Sequence, residues 1–167
     1  MWKKRLVRWI KEALVMALLF MIVTLAINYL KAPEISSNIL HDFKAMTTAK
    51  ERVTQKDFTG RPMLLHFWGT WCPVCKTEID NIEKIAKTDR VITVAVKSPD
   101  LHPFMKAHNL HFPVIDDRDG SLAEKFGITT FPTSLFIDAE GKISFVETGY
   151  TTTPGLRLRL WFLSHFR

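Results

Sequence analysis

Cysteine is nearly absent from this chain: 167 residues hold two, Cys72 and Cys75, separated only by Pro73 and Val74. No second pair exists to complete a closed four-ligand zinc site. The pair makes a poor structural staple, since a loop of about four residues gains roughly 2 kcal/mol on the chain-entropy model, against about 3 for fifteen residues. Such a pair is suited to opening and closing. The seven glycines form no phosphate-binding loop, and there is no internal repeat or low-complexity tract, which sets aside nucleotide cradles and solenoids. Acidic residues are scarce at the start: residues 1–12 set Lys3, Lys4, Arg5, Arg8 and Lys11 against Glu12 alone. Most of the net charge of +6 therefore belongs to this tail, which argues for membrane topology and against nucleic acid as a partner.

Charge is missing altogether from 13–30 (ALVMALLFMIVTLAINYL). As a helix this run is roughly 27 Å long, close to the hydrocarbon thickness of a bilayer, with Tyr29 placed as an interfacial aromatic. The expected organisation is a basic cytoplasmic tail at 1–12, an uncleaved transmembrane signal anchor at 13–30, a linker and N-terminal extension at 31–56, and a globular domain at 57–167. The basic flank places the N-terminus inside. The expected arrangement is thus a membrane crossed once, with the N-terminus cytoplasmic and the domain on the outer side.

Along the domain, Asp57 to Pro62 is a turn signal and Met63–Trp68 (MLLHFW) a short, nearly continuous apolar run, as in a central strand buried on both faces. Cys72 to Thr88 reads as a helix. Cys75, Ile79, Ile82 and Ala86 make its apolar stripe, while Lys76, Glu78, Asp80, Glu83, Lys84 and Lys87 lie mostly off it. Val91–Val96 is a second buried strand, so the pair and their helix form a βαβ unit with parallel strands. Asp100 is expected to cap a helix over Leu101–His108, Phe112–Ile115 to be extended, and Ser121 with Glu124 to form a capping box before Phe126 and Gly127. Thr133–Ile137 and Ile143–Val146 form a hairpin around 138–142, and Gly155 to Arg167 reads as a packing helix through Leu156, Leu160 and Leu163.

Proline is favoured at the first helical position, so Pro73 makes Cys72 the N-cap. Its sulfur would face free amides of the first turn and the positive end of the helix dipole, an environment that lowers a thiol's pKa from about 8.5 to about 3.5–7.5. Cys72 is thereby the exposed, attacking thiol, and Cys75, turned onto the core stripe, the resolving one. His66 interrupts an apolar strand and must be hydrogen-bonded or employed. It is a candidate proton relay or a satisfied core histidine. Trp71 beside the nucleophile could offer an apolar contact for a protein substrate. A second reading is a copper-binding or copper-tolerance module that uses Cys72 and Cys75 with His102, Met105, His108 and His111, thioether and imidazole being suitable ligands.

The pattern FWGTWCPVC after a buried strand, followed by FGITTFPTSLFID and AEGKI, resembles thioredoxin-fold proteins. The apolar anchor, DFTGRP and FPVIDDRDG are similar to the membrane-tethered TlpA/ResA-like branch, and GYTTTPGLRLRLWF to its suppressor-of-copper-sensitivity D type. The resemblance implies an α/β thioredoxin fold, a central mixed sheet flanked by helices, after one transmembrane helix. It implies a protein disulfide oxidoreductase with Cys72 as nucleophile, Cys75 as resolver, and Pro132 as a cis-proline packed on the disulfide within Phe131-Pro132-Thr133. The implied partners are protein thiols or disulfides and a membrane redox protein, with no resident cofactor or metal, and the implied location is a bacterial inner membrane with the domain periplasmic. Two residues depart from the pattern: His66 stands where thioredoxin has a buried acid, and Asp80 where the family often has a helix-kinking proline.

Overall fold

The computed structural model describes residues 43–166 and Leu40, and near the N-terminus Trp9, Lys11, Glu12, Val15, Met16, Leu18 and Leu19. The chain divides into two compact units, Met1–Ala32 and Pro33–Arg167. In the first, the described residues are helical and exposed. The expected span at 13–30 falls mostly outside the described residues, and among those described no helix is long and apolar enough to cross a membrane.

The second unit begins with a hairpin, β1 (Lys44–Met46) and β2 (Arg52–Thr54), and a 3-10 turn at Gln55–Phe58. There follow β3 (Met63–Trp68), α1 (Pro73–Ala86), β4 (Arg90–Val96), α2 (Leu101–Ala107), β5 (Val114–Asp117), α3 (Ser121–Lys125), β6 (Thr133–Ile137), β7 (Ile143–Thr148) and α4 (Thr153–Phe166). Five strands form one sheet in the order β5-β4-β3-β6-β7. β3, β4 and β5 run parallel, and β6 and β7 are antiparallel to their neighbours. The expected βαβ unit and hairpin are both present. β3 is central, and all six of its residues are buried, as its unbroken apolar run requires.

Strand alternation sends the residues of β3 to two cores. Leu64 and Trp68 pack with Cys75, Ile79, Ile82, Leu156, Leu160 and Leu163 beneath α1 and α4. Met63, Leu65 and Phe67 pack on the opposite face with Phe43, Phe58 and Phe126. There Phe43 meets Phe58 edge-on with centroids 4.8 Å apart.

The N-terminal extension expected within 31–56 packs, from Leu40 on, into the second core through Leu40, Phe43 and Val53. Its apolar residues are too widely spaced to show a period, and a long-range bridge between Thr47 and Ile115 fixes it. Two expectations need correction. Asp100 does not cap α2 with its side chain but accepts a hydrogen bond from Thr70 Oγ1, across thirty residues. Ser121 and Glu124 form no capping box. Buried Asp117, at the end of β5, accepts from the amides of Leu122 at 3.0 Å and Ala123 at 2.9 Å. This strand-end carboxyl lies beneath the helix start and outcompetes an exposed serine.

Asp117→Ala leaves both amides without their acceptor in a buried setting. Denaturant unfolding should show a loss of about 2–3 kcal/mol with an unchanged slope.

Candidate active site

β3 ends at Trp68, and the next three residues carry the chain over the sheet edge into α1. Cys72 N–H donates to Gly69 O at 3.1 Å, closing the turn. Thr70 N–H donates to Ser98 Oγ at 3.0 Å and Thr70 Oγ1 to Asp100, which fastens the turn to the loop after β4. Trp71 Nε1 donates to Val96 O at 2.9 Å. Gly69 permits this placement, since a Cβ there would lie 2.6 Å from Trp71 Nε1. The pinned indole meets the Phe131 ring edge-on, with centroids 5.5 Å apart.

Cys72 is the N-cap of α1, with φ −87° and ψ 115°, and Pro73 opens the helix. Cys72 Sγ accepts a hydrogen bond from the Cys75 amide at 3.2 Å. The two sulfurs are joined in a disulfide with Cα atoms 5.3 Å apart. Phe131 precedes Pro132 through a cis peptide bond, and its carbonyl oxygen lies 3.7 Å from Cys72 Sγ. The structure thus brings together Trp71, Cys72, Cys75, Phe131 and Pro132. Cys72 is covered more than its helix-start position suggests, at 4% exposed, with the Phe131 carbonyl against its sulfur. Trp71 and Val74 form the exposed rim, and Cys75 is fully buried.

Beneath the disulfide lie two buried titratable groups. His66 is on the same face of β3 as Leu64 and Trp68, the face that packs on α1. Its Nδ1 is 2.9 Å from Ser134 Oγ on β6, while Nε2 has no protein partner. Burial pushes its pKa down to about 3, so the ring is neutral at physiological pH. The other group is Glu78, which the stripe of α1 placed off the core. One turn beyond Cys75, it is fully buried: Oε1 accepts the Thr151 amide at 3.0 Å and Oε2 has no protein partner. Burial raises its pKa to about 7, against the lowering effect of that amide. Its i+3 spacing from Cys75 was the available signal, masked because it is an acid.

Beside the indole, a cleft of about 480 Å³ is walled by Trp71, Val96, Gly120, Ala123, Ile128 and Phe131. Of His102, Met105, His108 and His111, Met105 packs against the core. His108 stacks on Phe104 with centroids 4.2 Å apart, and the His111 amide donates to Glu83 at 2.9 Å. Among the described residues, no three His, Cys, Asp or Glu side chains converge as metal ligands.

Residues 37–146 match the AhpC/TSA family. The chain belongs to that family. Over 165 residues it is 32% identical to a thioredoxin-like protein of Haemophilus influenzae, covering 94% of this chain and 96% of the relative. It is 35% identical over 118 residues to the thiol-disulfide oxidoreductase ResA of Bacillus subtilis, covering 66% of each chain. The crystal structure of StoA from Bacillus subtilis superposes with a TM-score of 0.62 at 28% identity, covering 70% of this chain and 94% of StoA. The mixed sheet flanked by helices is therefore the thioredoxin fold.

The raised pKa of Glu78 makes stability depend on pH. The folded state holds this proton more tightly than the unfolded chain, so the contribution is complete below pH 4.5 and is lost as pH rises through about 7. Glu78→Gln keeps the acceptor for Thr151 and removes the titration. The oxidised wild type should lose about 2–3 kcal/mol more than this variant between pH 5 and pH 9 in denaturant unfolding.

Proposed function

We propose that this chain is a membrane-tethered thiol-disulfide oxidoreductase acting on periplasmic proteins. The observation that carries the reading is the Cys72 sulfur at the N-cap of α1, held by the Cys75 amide and joined to Cys75 in a disulfide. In the reduced protein the same amide and the helix dipole favour a thiolate at Cys72.

That thiolate attacks one sulfur of a substrate disulfide, forming a mixed disulfide and releasing the other substrate sulfur as a thiolate. Cys75 then gives up its proton and attacks Cys72 Sγ, which frees the second substrate thiolate and closes the Cys72–Cys75 bond. Two electrons have passed to the substrate. The same steps reversed oxidise a dithiol. Glu78, one turn from Cys75 and poised near neutrality, is suited to take that proton. His66, held neutral, relays a proton only through its two nitrogens, and its Nδ1 is already engaged by Ser134.

Trp71, Val74, Phe131 and Pro132 surround the attacking sulfur and provide an apolar seat for a substrate polypeptide, with the adjoining cleft available to a flanking side chain. The uncharged run at 13–30 behind its basic tail supports an inner-membrane anchor with the domain in the periplasm. A membrane redox partner then exchanges electrons with the pair. The closing GYTTTPGLRLRLWF supports placement with the suppressor-of-copper-sensitivity D type.

Cys75→Ser should trap the mixed disulfide. Tagged variant recovered from periplasmic extracts should carry covalent partners released by dithiothreitol, and Cys72→Ser should carry none. Equal adduct levels on the two variants, or none on Cys75→Ser, would reject the assignment of roles.

A further inference from the structure

The inner face of α4 is accounted for by Leu156, Leu160 and Leu163, all buried against the sheet and α1. Its outer face is apolar as well. At 100° per residue, Leu158, Trp161, Phe162 and His165 fall on the side opposite those leucines and Phe166 on its flank, and all five are exposed. The largest exposures are 63% at Leu158 and 64% at Phe166. The rings form one surface. Trp161 packs on His165 with centroids 4.8 Å apart and on Phe166 at 5.8 Å, while Phe162 stacks on Phe166 at 5.2 Å. A helix apolar on both sides is buried on both sides in its working state.

Charge identifies what covers it. Arg157 and Arg159 border the apolar face, and no acidic residue follows Glu147 in the sequence. Arg159 is paired with Glu147 and Gly155 O, whereas Arg157 points to solvent. Tryptophan, phenylalanine and leucine on one face with arginine beside them are the composition of a helix lying in the interfacial plane of an anionic bilayer. We infer that the outer face of α4 rests on the anionic lipid surface, its rings in the headgroup boundary and Arg157 on lipid phosphates. The inference rests on the membrane-tethered reading, which holds the domain within reach of that surface. A tethered domain gains this contact at high effective concentration, so a modest face suffices.

The test uses the full chain with Trp2→Phe and Trp9→Phe, reconstituted into vesicles of phosphatidylglycerol or of phosphatidylcholine, each with ordinary or acyl-brominated lipid. A matched Trp161→Phe protein supplies the emission of Trp161 by difference. That emission should be blue-shifted and quenched by brominated phosphatidylglycerol, less so by brominated phosphatidylcholine, and Arg157→Glu should reduce the quenching. Emission unquenched in both lipids, or quenched equally in both, overturns the inference. So does concentration-dependent dimerisation that protects Trp161 without lipid, which would make a second copy the occupant. Alkaline extraction of the same vesicles reads the anchor separately: a chain that resists extraction while Trp161 stays unquenched keeps its tether and loses this contact. Turnover of a small disulfide substrate by the Leu158→Ser, Trp161→Ser, Phe162→Ser, Phe166→Ser protein should match the wild type, showing that the exposed face is not needed for folding.

Discussion

The amide of Cys75 donates to Cys72 Sγ at the first turn of α1, and this bond decides what the two cysteines can do. A helix start has unsatisfied amides in any protein, and a side chain at the N-cap normally supplies an oxygen to them. Here a sulfur takes that place, so the group that caps the helix is also the one whose anion the helix favours. Pro73 opens the helix without needing a hydrogen-bond partner, and the turn from Gly69 to Trp71, fastened to Val96, Ser98 and Asp100, fixes where the helix begins.

The disulfide stands on an unusually polar floor. Of the four buried side-chain atoms without a partner among the described residues, His66 Nε2, Trp68 Nε1 and Glu78 Oε2 belong to residues on the sheet face beneath α1 or on α1 itself. Polar groups in a core are costly unless hydrogen-bonded. Glu78 carries the more useful proton of the two titratable groups, because its burial brings it near neutrality, whereas burial of His66 removes that ring from the physiological range. In the proposed mechanism the proton is therefore held by Glu78 on the helix and not by His66.

What the sequence disclosed was local. The apolar runs of β3 and β4, the switch to helical spacing after Cys72, the N-cap logic of Cys72-Pro73 and the β6–β7 hairpin follow from neighbours a few residues apart, and all appear in the fold. What it concealed was long-range. Glu78 meets Thr151 across seventy-three residues, Thr70 meets Asp100 across thirty, and Phe43 reaches the core from a segment with no periodicity. Local spacing sets Glu78 off the core stripe, makes Asp100 a helix cap and assigns Asp117 no role, because it carries no record of a distant amide or hydroxyl. The contact of Cys72 Sγ with the Phe131 carbonyl was hidden for the same reason, since fifty-nine residues separate the two.

The central claim is that the helix start activates Cys72, and the titration of its thiol in the reduced protein tests this most directly. Thiolate absorbance near 240 nm, followed against pH in the reduced chain and in Cys75→Ser to assign the signal, should place Cys72 well below the ordinary value of about 8.5. A midpoint at or above that value would contradict the account, because the N-cap geometry would then confer no preference for the anion.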